Sequence, residues 1–359
     1  MSTRIIHIDE CGYTGQNLLN PQQPLLVVSS VSLPADAADR LRDSCFSGTQ
    51  ASELKYSKLR KSPGGRASVI RFLSELGKEA TASGGPIATT FFVHKRFNLL
   101  TLLIDWWVEP AMHADGIDLY KRKGNLALAN ACWVTLESLI PKEFDKLLRR
   151  FEEMMRERSR SSYERFWGVV RKTYDRASET VQWSLVFFLG GELRLGFSHL
   201  LRLPDRVLDV TRSCVLETVA HYRVSSTNPF VVLHDDASYM SHDHLVWDAL
   251  TKPETSPQPA RIRYPLGVEE TRPVSSAKHI QVQFADILAG ATAAFIRSQE
   301  NPEREIVYFR EMKNSGILTF AVGGIWPSAD VAPEALGSED FDNKGLFREI
   351  GDLVRKTRC

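Results

Sequence analysis

Two apolar segments that resemble buried strands end in adjacent acidic residues. The first, "RIIHIDE", runs into Asp9 and Glu10, and the second, "PFVVLHDD", runs into Asp235 and Asp236. Carboxylates are rarely buried unless they are paired or hold a metal. Acids are also ordinary turn residues, so either segment alone would indicate a strand entering a turn. Because successive side chains alternate between the faces of a strand, we favour Asp9 and Asp235 over their neighbours as inward-facing ligands.

A third acid lies inside an apolar segment near the end of the chain. Residues 277–299 predict a strongly apolar helix, and Asp286 is flanked there by apolar residues. Gln283 lies three residues earlier on the same helical face, and Gly290 one turn later permits close backbone approach. Three acids on two strands and one helix could converge on hard divalent cations, which prefer oxygen ligands. An internal salt bridge is the alternative role for Asp286.

The order of strand and helix patterns divides the chain into sheet-forming and helical parts. A chain of 359 residues suggests about two domains, or one domain with a large insertion. Strand patterns dominate the beginning, amphipathic helices follow, and a further strand and an apolar helix complete the series. We predict an α/β fold, a mixed sheet flanked by helices, with a large all-helical insertion. The predicted parts are a first core segment (1–110), the helical insertion (111–225), a second core segment (226–300) and a C-terminal extension that packs on the core (301–359).

Composition excludes several classes of protein. The formal net charge is +1, so no global field attracts nucleic acid or a membrane surface. Five scattered cysteines without CxxC spacing argue against a disulfide framework or a structural zinc site, and they fit a reducing cytosol. The chain shows no secretory signal, and its most apolar stretch, residues 181–201, is interrupted by charged and polar residues. We therefore expect a cytoplasmic protein with no membrane partner.

Five short motifs follow one another along the chain in an informative order. They are HIDECGYTG (7–15), SELKYSKL (52–59), FFVHK (91–95), VVLHDDAS (231–238) and QVQFADILAG (281–290). In order and spacing these motifs resemble the DUF3800 family across most of residues 4–300. The sequence departs from that family at Cys11, where serine is usual, and at "SSAK" (275–278), where relatives often have Asp-Ser-Lys.

The resemblance implies a ribonuclease H-like fold and metal-dependent cleavage of nucleic acid. The implied site consists of Asp9, Glu10, Lys55, Asp235, Gln283 and Asp286. Two Mg²⁺ or Mn²⁺ ions would activate water and neutralise the phosphate, and the three aspartates 9, 235 and 286 would bind these ions. Lys55 would contact the scissile phosphate, or is simply a solvent-exposed lysine. Gln283 and Asp236 would support the ligands from behind.

The resemblance also associates the chain with mobile elements or antiviral defence, in which another protein of the system would be a partner. A function of a different class is a non-catalytic nucleic-acid-binding or regulatory subunit that partners another effector.

The helical insertion contains a segment rich in basic residues, "RERSRSSYERFWGVVRK". The residues that could contact phosphates are Arg156, Arg158, Arg160, Arg165, Arg171 and Lys172. Tyr163, Phe166 and Trp167 lie between them and could stack on bases. The alternative is a solvent-exposed charged face over an aromatic core stripe, which is the usual meaning of charge runs on helices.

Two other kinds of chemistry compete with the acidic site. His234, His242 and His244 lie among aspartates and could bind zinc, although their spacing fits no zincin helix. Cys11 could be a nucleophile, but neighbouring carboxylates raise the pKa of a thiol. The sequence contains neither a P-loop nor a GxGxxG run, which argues against hydrolysis of nucleoside triphosphates.

Overall fold

The computed structural model describes residues 3–49, 51–120, 124–223, 228–235, 266–300 and 305–328. The described residues fall into two compact units, each of which is treated by itself. The sheet unit takes its residues from Met1–Tyr13, Leu25–Val93 and Val210–Gly324. The helical unit takes its residues from Thr14–Pro24, His94–Asp209 and Ile325–Cys359.

The sheet unit is built on a mixed sheet. Its strands are β1 (Arg4–Cys11), β2 (Leu25–Val31), β3 (Ala88–His94), β4 (Phe230–Asp235), β5 (Val268–Val274) and β6 (Ala321–Ile325). Their order across the sheet is β5-β4-β1-β2-β3-β6. Strand β1 pairs in parallel with β4 and antiparallel with β2, and β4 pairs in parallel with β5. The predicted α/β class with a mixed sheet is confirmed.

Helices account for most of the remaining described chain. They are α1 (Ala35–Phe46), α2 (Tyr56–Leu59), α3 (Pro63–Ser83), α4 (Lys95–Leu103), α5 (Glu109–Ala114), α6 (Gly124–Leu139), α7 (Pro141–Glu157), α8 (Arg160–Arg176), α9 (Glu179–Arg202), α10 (Thr211–Arg223), α11 (Ile280–Glu300) and α12 (Ile306–Asn314). A π-helical turn (Ile104–Val108) and two 3₁₀ turns (Ser276–Lys278 and Ile317–Phe320) complete the set. None of the described helices is long and apolar enough to cross a membrane.

Helices cover both faces of the sheet. On one face, Ala289 and Ala293 of α11 pack against Val27 of β2. On the other face, Tyr222 of α10 shares a hydrogen bond with Ser30 of β2, with 3.0 Å between the two hydroxyl oxygens. Because strand residues alternate between faces, the odd-numbered residues of β1 face α11 and the even-numbered residues face α10.

Two local sequence signals explain where helices begin and end. Ser62 caps α3 by accepting a hydrogen bond of 3.0 Å from the backbone N–H of Gly65, and Gly84 ends the helix at φ 67°. The chain around residue 158 forms two helices, α7 and α8. Arg158 takes a left-handed conformation (φ 50°), and Ser159 then caps α8 in a capping box with Ser162.

The compact units begin and end at other residues than the predicted parts. Helix α10 belongs to the sheet unit, because its buried face covers the sheet, so the helical unit ends at Asp209 rather than at residue 225. The helical unit also starts earlier, at His94, and includes the segment 14–24. In the C-terminal extension, Tyr308 and Met312 of α12 are buried in the core shared by α1, α3 and α11. Residues 329–359 lie outside the described residues.

Candidate acidic active site

Asp9 lies near the carboxyl end of β1 on the face that packs against α11. Cys11, on the same face of β1, packs against Ala289 and Ala293 of α11. Asp9 is only 7% exposed, and its Oδ1 accepts a hydrogen bond of 2.8 Å from the backbone N–H of Glu10. Glu10 is the next residue along the strand, so its side chain points to the opposite face of the sheet, and it is half-buried. The structure therefore separates the two adjacent acids, as the alternation along a strand requires.

Asp235 is brought beside Asp9 by the pairing of β1 with β4. Ile8 lies opposite His234 in this parallel pair, so the next step of the register sets Asp9 opposite Asp235. Parallel pairing brings the carboxyl ends of both strands to one edge of the sheet. This pairing explains how two acids more than two hundred residues apart reach one place.

The charges of the acids interact strongly. Burial raises the pKa of Asp9 to about 8, and the neighbouring carboxylates of Glu10, Asp286 and Asp235 add to the rise. Burial also raises the pKa of Asp286, against the opposing effects of the Tyr56 N–H and the Lys55 ammonium. Among the described residues, Asp9 forms no ion pair. Burial and the surrounding acids therefore disfavour the ionised form of Asp9.

Two side chains of α11 fasten the segment that precedes α2. Asp286 Oδ2 accepts a hydrogen bond of 2.7 Å from the backbone N–H of Tyr56. Gln283 Oε1 accepts one of 2.8 Å from the N–H of Leu54, and Gln283 Nε2 donates one of 2.8 Å to the carbonyl of Ser276. We predicted that Gln283 would bond to a ligand carboxylate, but both of these bonds go to backbone. Gln283 thus positions two chain segments around the acids.

Glycine at position 290 has the effect that we predicted for it. A Cβ atom added there would lie 2.6 Å from the ring of Tyr56. Glycine therefore allows the Tyr56 ring to lie directly against the backbone of α11, one turn beyond Asp286. This close contact and the Asp286 hydrogen bond hold α2 and the residues before it against α11.

The structure adds two residues, Glu53 and Ser276, that sequence reasoning missed. Ser276 Oγ donates a hydrogen bond of 2.6 Å to Glu53 Oε1, and the Ser276 N–H donates one of 3.3 Å to Asp235 Oδ1. Glu53 Oε1 also lies 3.2 Å from Lys55 Nζ. A signal for Glu53 was present, because in the SELK motif it stands two residues before Lys55. In an extended segment that spacing puts both side chains on one side.

Glu53 and Lys55 are held as a charged pair. The Ser276 hydroxyl lowers the pKa of Glu53, burial opposes this, and Lys55 lowers the pKa further, so that the net shift is downward. Burial lowers the pKa of Lys55, but the charges of Glu53, Asp286 and Asp9 outweigh it and raise the pKa. Lys55 therefore carries a positive charge next to the acids.

The carboxylate set has the donor chemistry of a site for hard divalent cations. Within the described ranges, however, no three acidic, histidine or cysteine side chains are already arranged to hold a metal ion. Asp9, Asp235 and Asp286 would have to close around an ion by side-chain adjustment. Predicted residue Asp236 lies outside the described residues.

The competing zinc and thiol chemistries gain no support from the described residues. His234 is buried, and its Nδ1 lies 2.6 Å from the carbonyl oxygen of Asp235. His242 and His244 lie outside the described residues. Burial, with a further contribution from Asp286, raises the pKa of Cys11 to about 11, so Cys11 is a protonated thiol at neutral pH. Cys11, Cys45 and Cys132 are free thiols.

Four of the six basic residues predicted to bind nucleic acid are engaged within the helical unit. Arg158 pairs with Asp205 and donates to carbonyls at the end of α9. The other pairs join Arg160 to Glu164, Arg165 to Glu153 and Glu157, and Arg171 to Glu192. In the described part of the chain, no ion pair involves Arg156 or Lys172. These contacts favour a structural role for the four arginines.

The aromatic residues between these arginines are core residues. Phe166 and Trp167 have no exposed surface, and Tyr163 is 7% exposed. Their rings pack on one another and on Trp107 and Phe151. They are therefore not displayed for stacking on bases, which fits the aromatic core stripe that we considered as the alternative.

Comparison of the chain with protein-family models, with curated protein sequences and with solved structures found no match. The DUF3800 likeness therefore stays a resemblance of short motifs, and inference of function depends on the geometry of the acidic site.

Proposed function

We propose that the protein is a metal-dependent nuclease that hydrolyses phosphodiester bonds of DNA or RNA with Mg²⁺ or Mn²⁺. The observation that carries this proposal is the buried Asp9 carboxylate. It has no ion pair among the described residues and lies beside the carboxylates of Asp235 and Asp286. A buried carboxylate without a counter-charge is costly, and a divalent cation would remove that cost.

The arrangement of the acid-bearing elements supports a ribonuclease H-like core as part of the proposal. Two adjacent parallel strands supply Asp9 and Asp235 at one edge of a mixed sheet, and α11 on one face of that sheet supplies Asp286. This is the arrangement expected from the motif resemblance. A setting in antiviral defence or in a mobile element rests on the resemblance alone.

Each residue of the site has a distinct role in the proposed reaction. Asp9, Asp235 and Asp286 would hold the divalent ions, which supply an activated water and charge neutralisation at the phosphate. Lys55, held beside Glu53, would place its ammonium against a phosphate oxygen. Ser276 and Gln283 keep Glu53 and the 53–56 segment in place through the hydrogen bonds described above.

A second candidate function is a non-catalytic nucleic-acid-binding or regulatory subunit. It is favoured by the finding that no metal arrangement is preformed among the described residues. Such a subunit would keep the fold and the binding surface but would not cleave.

A cleavage assay with labelled DNA and RNA, in Mg²⁺, Mn²⁺, Zn²⁺ and chelator, tests the proposal. We expect cleavage in Mg²⁺ or Mn²⁺ that chelator abolishes. Asp286→Asn retains an oxygen that accepts from the Tyr56 N–H but removes the charge. We expect this substitution to lower the rate on the order of 10³-fold, which corresponds to about 4 kcal/mol of transition-state stabilisation.

Two results would contradict the nuclease proposal. One is cleavage that persists in chelator or in Asp286→Asn. The other is binding of nucleic acid without cleavage under any metal condition, which is the result that the subunit function predicts.

A further inference from the structure

A cavity of about 400 Å³ lies beside the acidic site in the sheet unit. Its walls come from the loop after α1, the segment 53–55, helix α2 and the first turn of α3. The volume is within the range of small-ligand sites. Lys55 lines this cavity, and its ammonium also responds to the charges of Asp9 and Asp286. The Lys55 side chain therefore lies between the cavity and the acids of the proposed reaction centre.

The charge in the cavity wall is that of an anion site. Lys55 and Lys58 both line it, and among the described residues of the lining the only acid is Glu53. Glu53 already accepts a hydrogen bond from the Ser276 hydroxyl and pairs with Lys55. Among the described residues, Lys58 is exposed and forms no ion pair. The Lys58 ammonium is thus available to a ligand, and the Lys55 ammonium can be shared between Glu53 and that ligand.

The uncharged part of the wall is mixed. Ala51, Leu54 and Leu59 are apolar, and Thr49, Ser62 and Ser68 contribute hydroxyl groups. Gly64 exposes backbone there, and a Cβ atom added to Gly64 would meet nothing within 4 Å. The ammonium and hydroxyl groups can bind a phosphate, and the apolar residues can pack against the sugar beside it. The first turn of α3 adds a small positive potential, but the lysines dominate.

We propose that this cavity binds a backbone phosphate of the nucleic-acid strand, at a nucleotide next to the bond that is cut. The inference rests on the proposed function, because the position of the cavity matters only if the acids beside it act on the strand. Lys58 is the main contact, and Lys55 is shared between this phosphate and the scissile one.

Gly64 offers a test with matched variants. Gly64→Asp places a carboxylate at the edge of the cavity, and Gly64→Asn places a neutral group of the same shape there. Both substitutions fit the open space, and an acid in the first turn of a helix does not harm its stability. Affinity for a short labelled DNA or RNA strand is measured by fluorescence anisotropy in chelator, so that cleavage plays no part. We expect Gly64→Asp to weaken binding about tenfold or more and Gly64→Asn to have little effect.

Lys58 provides a second, independent pair. Lys58→Gln removes a cavity lysine, and Lys61→Gln removes the same charge from an exposed residue that does not line the cavity. Affinity is measured over a range of salt concentrations. We expect Lys58→Gln to reduce the slope of log affinity against log salt by about one, and Lys61→Gln to leave it near the wild-type value.

The outcomes separate this proposal from the nuclease proposal. Equal affinities for Gly64→Asp, Gly64→Asn and wild type overturn the phosphate site, even if the wild type cleaves. Selective loss in Gly64→Asp and Lys58→Gln supports the site, even if the wild type does not cleave. Adenosine monophosphate and inorganic phosphate are added as competitors. If they bind in a Lys58-dependent way while strand binding is insensitive to both pairs of variants, the cavity holds free anions and the strand assignment is wrong.

Discussion

Two groups of acidic side chains, one in each unit, differ in whether they form ion pairs. In the helical unit, acids on α7 and α9 are paired: Glu153 and Glu157 with Arg165, and Glu192 with Arg171. In the sheet unit, burial and neighbouring carboxylates raise the pKa of Asp9, which forms no ion pair among the described residues. A chain that pairs its acids in one place but buries Asp9 without such a pair in another gives up stability there. Function is the usual reason for such a concession.

Asp105 in the helical unit can serve as a control for Asp9, because burial raises the pKa of its carboxyl group too. Asp105 lies in the π-helical turn, and burial raises its pKa to about 6, with a smaller contribution from Glu109. Asn125 Nδ2 donates a hydrogen bond of 3.1 Å to Asp105 Oδ1. Asp105 is half-buried and Asp9 is buried, and burial raises the pKa of both carboxyl groups, but Glu10, Asp286 and Asp235 add to the rise only at Asp9.

The largest expected effect compares Asp9→Asn with Asp105→Asn in thermal unfolding with and without Mg²⁺ or Mn²⁺. If the acid group of the sheet unit binds metal, the wild type gains about 2.7 kcal/mol at a metal concentration of 100 times Kd. We expect Asp9→Asn to lose most of this gain, because a ligand charge is removed, and Asp105→Asn to retain it. Without metal, Asp9→Asn should unfold at the same temperature or slightly higher, because Asn keeps a neutral group of the same shape where burial and neighbouring acids disfavour an ionised Asp9.

Two results would contradict metal binding at Asp9. Equal metal stabilisation of both variants would show that metal binds elsewhere. Strong destabilisation of Asp9→Asn without metal would show that Asp9 has a structural role that depends on its charge.

Much of the fold could be predicted because local patterns determine it. The strand that ends at Asp9 and the apolar helix at 277–299 follow from local apolar patterns, and the structure has them as β1 and α11. The break between α7 and α8 is harder to predict, because Arg158 in a left-handed conformation has no general sequence signature. The assignment of α10 to the sheet unit was missed, because packing against a sheet depends on contacts far apart in sequence.

The candidate site was predictable where strand geometry constrains it and not elsewhere. Alternation along β1 selected Asp9 over Glu10, and the structure buries Asp9 on the α11 face. Glu53 and Ser276 were missed because their hydrogen bond joins residues 223 apart in sequence. The partner of Arg158 was missed for a similar reason, since Asp205 lies 47 residues away in sequence.

The second expected effect is a pH dependence at Asp105. The folded-state pKa is raised from 3.8 to about 6, so the folded state holds its proton more tightly than the unfolded state. Stability contributed by this group is therefore present below about pH 4 and is lost as the pH rises through about 6. Asp105→Asn removes that loss, and we expect it to stabilise the protein at pH 7.5 on the order of 2 kcal/mol, with little change at pH 4. Denaturant unfolding at the two pH values measures this difference, and equal stabilisation at both would contradict it.

The smallest expected effect concerns the basic residues at 156–172 in the helical unit. It tests whether ion pairs within the unit keep these residues from binding phosphates. Arg156 and Lys172 form no ion pair in the described part of the chain, whereas Arg160 and Arg165 do. Replacing Arg156 and Lys172 by Gln removes the same net charge as replacing Arg160 and Arg165 by Gln, so long-range electrostatics change equally. If these residues contact phosphates, only groups free of carboxylates can release counterions on binding. We then expect the Arg156 and Lys172 double variant to lower the slope of log affinity against log salt by no more than two, and the Arg160 and Arg165 double variant to lower it by less.

Slopes equal to the wild-type value in both double variants would mean that the basic residues are solvent-exposed and take no part in binding. Strand contact would then be confined to the sheet unit.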